Sequence, residues 1–209
     1  MSRFTDYVKK EFPLLALLLI PVCIAINIVG FQLSQLLRLP IFLDSIGTIL
    51  AGAIGGPWIG AVTGLLTNCI NGIFNPVYFP YALTSIGLGI TAGLLSRKGY
   101  FGKIWKVAVA AIIISLVSTI ISGFITAMVF GGATGNPASV ITATLLAAGN
   151  NIFTSVFSVQ IFQELGDKVL SVLIVFFIIK AMPSRYLSKT KYGPLYISES
   201  KNKRARATV

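Results

Sequence analysis

The sequence predicts an all-α, polytopic membrane protein, and three observations lead to that fold class. Apolar residues make up 55% of the 209 positions and only 11% are charged, whereas soluble domains carry about 25% charged residues. Mean hydropathy is +0.86. The apolar residues form long runs separated by turn-forming and basic residues. We therefore expect one membrane-embedded domain over residues 1–187, followed by a basic cytoplasmic tail over residues 188–209.

Six runs have the composition of transmembrane helices, although the second is short for a span of about 20 residues. They cover residues 12–37, 41–55, 57–74, 80–96, 104–130 and 165–182. The first run is too long for the core of a signal peptide and no cleavage motif follows it, so we expect it to be retained. Gly55-Gly56-Pro57 predicts a tight turn that makes the second and third helices a close hairpin.

The region 138–163 is apolar enough for a further helix but contains asparagine and glutamine side chains. The basic residues decide how it is interpreted. With the N-terminus in the cytoplasm, six spans place 14 of the 17 basic residues there, and a seventh would export the basic tail. The prediction is therefore six crossing helices, both termini cytoplasmic, and an extra outer segment that does not cross. Basic residues that flank spans in this way do not indicate nucleic-acid binding.

Polar side chains gather at the predicted outer end of these helices. Asn68, Asn71 and Asn75 are spaced to share one helix face, and amide groups supply both donors and acceptors for the edge of a heterocycle. Tyr78 and Tyr81 add rings for stacking. The candidate substrate-binding residues are Asp44, Asn68, Asn71, Asn75, Tyr78, Tyr81, Asn151, Gln160 and Gln163. The alternative is that these side chains only reach water at the membrane interface.

Asp44 is the most unusual of these residues, because a carboxylate lies inside the apolar run LPIFLDSIGTIL. We expect it in the first turn of the second helix, where the helix dipole tolerates a negative charge. Two interpretations stay open. Either it is only a helix-terminal acid, or it points inward beside Asn71 and Tyr78 and hydrogen-bonds to a ligand.

Small residues recur every fourth position in the second and third helices, which is typical of closely packed membrane helices. Close packing is the preferred interpretation, and a docking surface for a partner is the alternative. The residues concerned are Gly47, Ala51, Gly55, Gly60 and Gly64.

The sequence lacks the motifs of several kinds of chemistry. It contains no P-loop and no histidine, and its two cysteines lie in apolar runs, so we expect no ATP site, no metal site and no cofactor. An integral membrane enzyme that uses Asp44 with Glu164 or Asp167 is one rival hypothesis. A structural subunit without a ligand is another. The pair Asp167-Lys168 is better explained as a helix start at the membrane interface.

Residues 12–187 resemble the substrate-binding S components of energy-coupling factor (ECF) vitamin transporters. The resemblance rests on the six-helix plan and on LPIFLDSIGTILAGAIGGPWIGAVTGLLTN at 39–68, NPVYFPYAL at 75–83 and DKVLSVLIVFFIIKAMPSRYL at 167–187. It implies a protein of the bacterial cell membrane that captures a vitamin or precursor from outside. It also implies docking on a transmembrane coupling subunit that two ATP-binding subunits drive.

The resemblance leaves the ligand open. Amides and a carboxylate outnumber basic residues among the candidates, which favours hydroxymethylpyrimidine or a pyridoxine-like ligand, with cobalamin as the alternative. The A-x-x-x-A motif that many S components carry on the first helix is absent, because Ile20 follows Ala16 and Val29 follows Ala25 at that spacing. The small residues of the second and third helices are the substitute docking candidates.

Overall fold

The computed structural model describes residues 14–37, 39 and 41–197, and this part of the chain is helical. The α-helices are α1 (Leu14–Leu36), α2 (Ile46–Gly55), α3 (Pro57–Phe74), α4 (Ala82–Arg97), α5 (Ile104–Met128), α6 (Pro137–Ala147), α7 (Ile152–Ala181) and α8 (Ser184–Leu187). Short 3₁₀ turns cover Pro76–Tyr78 and Gly193–Tyr196.

The turn between α2 and α3 forms where the sequence predicts it. Gly56 has φ = 108°, a conformation that side chains other than hydrogen rarely adopt. Pro57 then occupies the first turn of α3, where its missing N–H leaves no intrahelical bond unmade. The helices α2 and α3 therefore form a close hairpin, as predicted.

The helix at the centre of the bundle is α2. All of its 10 residues are buried, and it contacts α1, α3, α4 and α7. The approach to α1 is close enough that a Cβ on Gly47 would lie 1.9 Å from the carbonyl oxygen of Cys23. A glycine at that position therefore sets the distance between the two helices.

The structure corrects the predicted start of the chain's last long helix. The sequence predicts a helix over 165–182 and a separate outer segment over 138–163, whereas α7 runs unbroken for 30 residues from Ile152. Only α6 is a separate element. The break predicted near residue 164 is absent because the polar side chains there hydrogen-bond to α5, as described below, and do not end the helix.

Two helices of the described chain, α1 and α5, are both long and apolar enough to cross a membrane. That six helices cross the membrane stays a prediction.

The first part of the predicted basic tail contacts the bundle. After α8 the chain returns to the bundle, where the amide of Tyr192 donates to the carbonyl of Ile54 at 3.1 Å. The Tyr196 hydroxyl lies 2.6 Å from the Ser96 hydroxyl. Residues 188–197 thus pack on the domain, while residues 198–209 lie outside the described part, as do residues 1–13 and the predicted positions of both termini.

Candidate functional site

A cavity of about 270 Å³ opens at one end of the bundle, where α1 and α3 end and α2 and α4 begin. Halves of α5 and α7 complete its wall. The lining residues are mostly polar: Gln35, Phe42, Asp44, Asn68, Asn75, Val77, Tyr78, Tyr81, Thr84, Ser85, Leu88, Ser118, Ser122, Thr134, Gly135, Asn136, Gln160, Glu164 and Lys168.

Asp44 reaches this cavity from the connection between α1 and α2. It precedes Ser45, the N-cap of α2, so the prediction that it lies in the first helical turn is wrong. The connection is bent by Leu43, whose φ of 54° is unusual for a leucine. The Asp167 side chain holds this bend, because its Oδ1 accepts hydrogen bonds from the amides of Phe42 (3.1 Å) and Leu43 (2.8 Å).

Lys168 is the centre of a buried ionic cluster. Its Nζ lies 2.5 Å from Asp167 Oδ2 and 3.4 Å from Glu164 Oε2, and it donates to Ser45 Oγ at 3.2 Å. Asp167 and Lys168 are 0% and 3% exposed in the middle of α7. The prediction that this pair starts a helix at the interface is therefore wrong. The pair instead joins α7 to the connection that carries Asp44.

A second set of hydrogen bonds joins α7 to α5 across the cavity wall. Glu164 accepts from Ser118 Oγ at 2.6 Å and from Ser122 Oγ at 3.1 Å. Gln160 Nε2 donates to Thr126 Oγ1 at 2.8 Å, and the Tyr81 hydroxyl lies 2.6 Å from the same oxygen. Gln160 and Glu164 are thus hydrogen-bonded within the chain, which allows α7 to continue through them.

The electrostatic environment of Asp44 differs from that of a surface acid. Its carboxyl group lines the cavity, and its charged neighbours are one base, Lys168, and two acids, Asp167 and Glu164.

The structure brings together six of the nine predicted binding residues in this cavity: Asp44, Asn68, Asn75, Tyr78, Tyr81 and Gln160. The other three lie elsewhere. Asn71 is buried but is not part of the lining, and the exposed Asn151 caps α7 by accepting from the Phe153 amide at 2.9 Å. Gln163 is half-buried on α7 and does not line the cavity. Within the polar helix face of α3, Asn68 lines the cavity and donates to Ser85 Oγ at 2.6 Å.

Sequence reasoning missed two groups of residues. The first group is the cavity-lining hydroxyls of α4 and α5, which have no local pattern that separates them from ordinary polar positions in a helix: Thr84, Ser85, Ser118 and Ser122. Asn27 on α1 is fully buried and joins three helices, because its Oδ1 accepts from the Gly47 amide (2.6 Å) and its Nδ2 donates to Thr48 and Thr67. A lone asparagine inside the apolar first run was the available signal.

The five small residues considered for docking lie inside the bundle. Ala51 is 0% exposed, and a Cβ on Gly60 would lie 2.8 Å from both Gly52 Cα and Gly89 O. Gly64 contacts Ser85 in the same way, and Gly47 and Gly55 also have close neighbours in the chain. In this conformation they pack the chain's own helices, so a partner does not reach them.

A comparison with known families gives a match over most of the chain. The family model of the ECF transporter substrate-specific component matches residues 15–179. The chain belongs to this family. No curated protein and no solved structure matches it. An ECF substrate-specific component is a membrane protein that binds a small-molecule substrate and works with the transmembrane and ATPase modules of its transporter.

The site geometry suits binding better than catalysis. The family is a family of transporter components and not of enzymes. Of the acids considered for a membrane enzyme, Asp167 is engaged with backbone amides and Lys168, and Glu164 is engaged with two serines. In the described part of the chain, no group of three or more potential metal ligands occurs.

Proposed function

We propose that this S component captures a vitamin or vitamin precursor in the cavity at the Asp44 end of the bundle, for ATP-driven import. One observation carries the proposal: a polar cavity of about 270 Å³ lies in the middle of residues that the family model covers. Ligand cavities in proteins measure about 300–1,000 Å³. A cavity just below that range favours a single-ring ligand.

Hydroxymethylpyrimidine or a pyridoxine-like molecule is the favoured ligand. Either carries a ring with hydroxyl groups and ring nitrogens, which the amides of Asn68 and Gln160 and the carboxylate of Asp44 complement. Tyr78 and Tyr81 border the same space. The cobalamin alternative is weaker, because a corrin ring with its substituents is several times larger than this cavity.

The proposed assembly follows the family. The cavity faces outward, six helices cross the bacterial cell membrane, both termini lie in the cytoplasm, and the subunit docks on a transmembrane coupling subunit with two ATP-binding subunits. Two exposed positions at opposite ends of the helical bundle test the orientation: Ala133, beside cavity residue Thr134, and Lys189, after α8. In a background without Cys23 and Cys69, an impermeant maleimide should label Ala133→Cys in intact cells and not Lys189→Cys. The reverse pattern would mean that the cavity faces the cytoplasm.

The ligand is tested by mass spectrometry of small molecules that remain bound through purification, followed by calorimetry with the compound found. We expect one vitamin-sized heterocycle, bound saturably by the isolated subunit, and uptake into cells only when the coupling and ATP-binding subunits are present. A purified subunit that carries no small molecule and binds none of the candidate vitamins would refute the capture function. Turnover of a ligand by the subunit alone would favour the enzyme hypothesis instead.

A further inference from the structure

The charges around the cavity do not balance. Three acidic side chains of the described chain, Asp44, Glu164 and Asp167, influence one another there, and Lys168 is the one basic side chain among the lining residues. Arg38, which is near in sequence, lies outside the described residues. With all four of these described groups ionised, they carry an excess of negative charge before any ligand binds.

Lys168 has no donor left for an anionic ligand. An ammonium group has three N–H donors, and here its nitrogen contacts Asp167, Glu164 and Ser45. A ligand carboxylate or phosphate would have to displace one of these partners inside a buried cluster. The cavity therefore disfavours an anionic group beside Lys168.

Asp44 differs from the other two acids in its partners. Asp167 is engaged with two backbone amides and Lys168, and Glu164 accepts from Ser118 and Ser122. None of the three Lys168 donors is directed to Asp44. The Asp44 carboxylate thus lines the cavity. Among the described residues its hydrogen bond is to its own backbone amide, and its remaining acceptor capacity is available to a ligand.

An unsatisfied hydroxyl on the cavity wall independently indicates a polar ligand. Thr84 is only 6% exposed, it lines the cavity, and its Oγ1 has no hydrogen-bond partner. Buried hydroxyls in native structures almost always have a partner. A ligand donor or acceptor in the cavity would supply the missing one.

We propose that the cavity selects a positively charged ligand, with a protonated amine against the Asp44 carboxylate and a second polar group against the Thr84 hydroxyl. This inference rests on the proposed capture function and narrows it to cationic substrates. The Lys168 cluster contributes by neutralising Asp167 while it leaves the charge of Asp44 uncompensated by a direct contact.

Three compounds of nearly equal size test the charge preference: pyridoxamine, pyridoxine and 4-pyridoxic acid share one substituted pyridine ring. At pH 7.5 the first is a cation, the second has no net charge and the third is an anion. Calorimetry with the purified full chain should show at least tenfold tighter binding of pyridoxamine than of pyridoxine, and no binding of 4-pyridoxic acid. Equal affinities, or a preference for the anion, would overturn the inference and leave the capture function standing.

Two variants assign the preference to the named groups. Asp44→Asn should reduce the ratio of pyridoxamine to pyridoxine affinity to near one, because it removes the charge and keeps the shape. Thr84→Val should weaken binding of pyridoxamine severalfold. Thr119→Val is the matched control for Thr84→Val, since Thr119 is also buried with an unpartnered Oγ1 but does not line the cavity. The pyridoxamine affinity of this control should stay unchanged. An unchanged ratio in Asp44→Asn would overturn the assignment.

A different natural ligand would also decide the question. If the compound that co-purifies is not a pyridine, the charge of that compound at pH 7.5 becomes the test. A cation supports the inference, whereas a neutral or anionic compound overturns it and leaves the capture function standing. If nothing co-purifies and none of the candidate vitamins or of the three compounds binds, both the inference and the proposed function are wrong.

Discussion

The two ends of the helical bundle are built on opposite principles. At the cavity end, helices are separated by hydroxyls, amides and a buried ionic cluster around Lys168. At the other end, which we call the sealed end (the α2–α3 turn, residues 95–107 and residues 184–197), apolar side chains fill the interior. Ile54, Phe101, Val107 and Leu187 are at most 1% exposed there.

The buried polar side chains of the sealed end, Ser96 and Thr190, are hydrogen-bonded within the chain. Ser96 is fully buried, donates to the carbonyl of Ala53 and pairs with the Tyr196 hydroxyl. The cavity end instead keeps the unpartnered Thr84 hydroxyl. The difference indicates that one end holds the helices together by close packing, while the other holds polar groups in place for a ligand.

The largest effect should come from breaking the close packing. A Cβ on Gly89 would lie 2.2 Å from the carbonyl carbon of Gly60, so Gly89→Leu forces backbone apart and we expect no folded monomer on size-exclusion chromatography in detergent. Gly166→Leu is the matched control on α7, because the nearest atom to its added Cβ is 3.9 Å away. That variant should purify like the parent. Normal behaviour of Gly89→Leu would mean that α3 and α4 do not approach as described.

A smaller but still large effect should follow from opening the ionic cluster. Asp167→Ala leaves Lys168 without its nearest carboxylate and frees the amides of Phe42 and Leu43. Loss of one partner from a buried ion pair costs about 3–5 kcal/mol of unfolding free energy. Thermal unfolding measures the loss, and hydrogen exchange at Phe42 and Leu43 should accelerate.

The control for that change is Asp167→Asn, whose remaining oxygen can still accept from both amides. Exchange at Phe42 and Leu43 should then stay slow, although the salt bridge is gone. Equal acceleration in both variants would show that the charge, and not the acceptor, holds the connection between α1 and α2.

The cavity end is tested more finely by two asparagines of one helix. Asn68→Ala should weaken binding of the natural ligand by about 1–3 kcal/mol, roughly five- to 150-fold, because a ligand partner is left unsatisfied. Asn71→Ala, which lies outside the cavity lining, should bind within about twofold of the parent, since a residue that does not touch the ligand has little effect on affinity. Calorimetry distinguishes the two variants. A larger loss of affinity in Asn71→Ala would show that the ligand binds nearer to Asn71 on α3.

The smallest effect should come from the hydrogen bond that fixes the C-terminal residues to the sealed end. Tyr196→Phe removes the pairing with Ser96 and should lower the free energy of unfolding by about 0.5–1.5 kcal/mol. Ligand affinity should not change, because Tyr196 lies at the opposite end from the cavity. Leu195→Ala, at a 55% exposed neighbour, should leave both quantities unaltered. A loss of affinity in Tyr196→Phe would show that the two ends are coupled.

Local features of the sequence were sufficient for much of the fold. The apolar runs located α1, α3, α4 and α5 to within a few residues. The turn at Gly55-Gly56-Pro57 was predictable because only glycine readily takes φ = 108° and proline favours a first helical turn. Amides and tyrosines near the ends of the runs also indicated the end of the bundle where the cavity opens.

Tertiary contacts decided what those local features could not. Asp167 binds amides 124 and 125 positions away, so its burial has no counterpart in nearby residues, and the start of α7 was misplaced for the same reason. Asn68 and Asn71 share a helix face in sequence, yet the direction from which α4 packs makes only Asn68 part of the cavity. The sequence alone determined which segments are helical and which end is polar, because these depend on neighbours within a few positions. Which polar group meets which partner depends on how the helices pack, and periodicity along one helix carries no information about that.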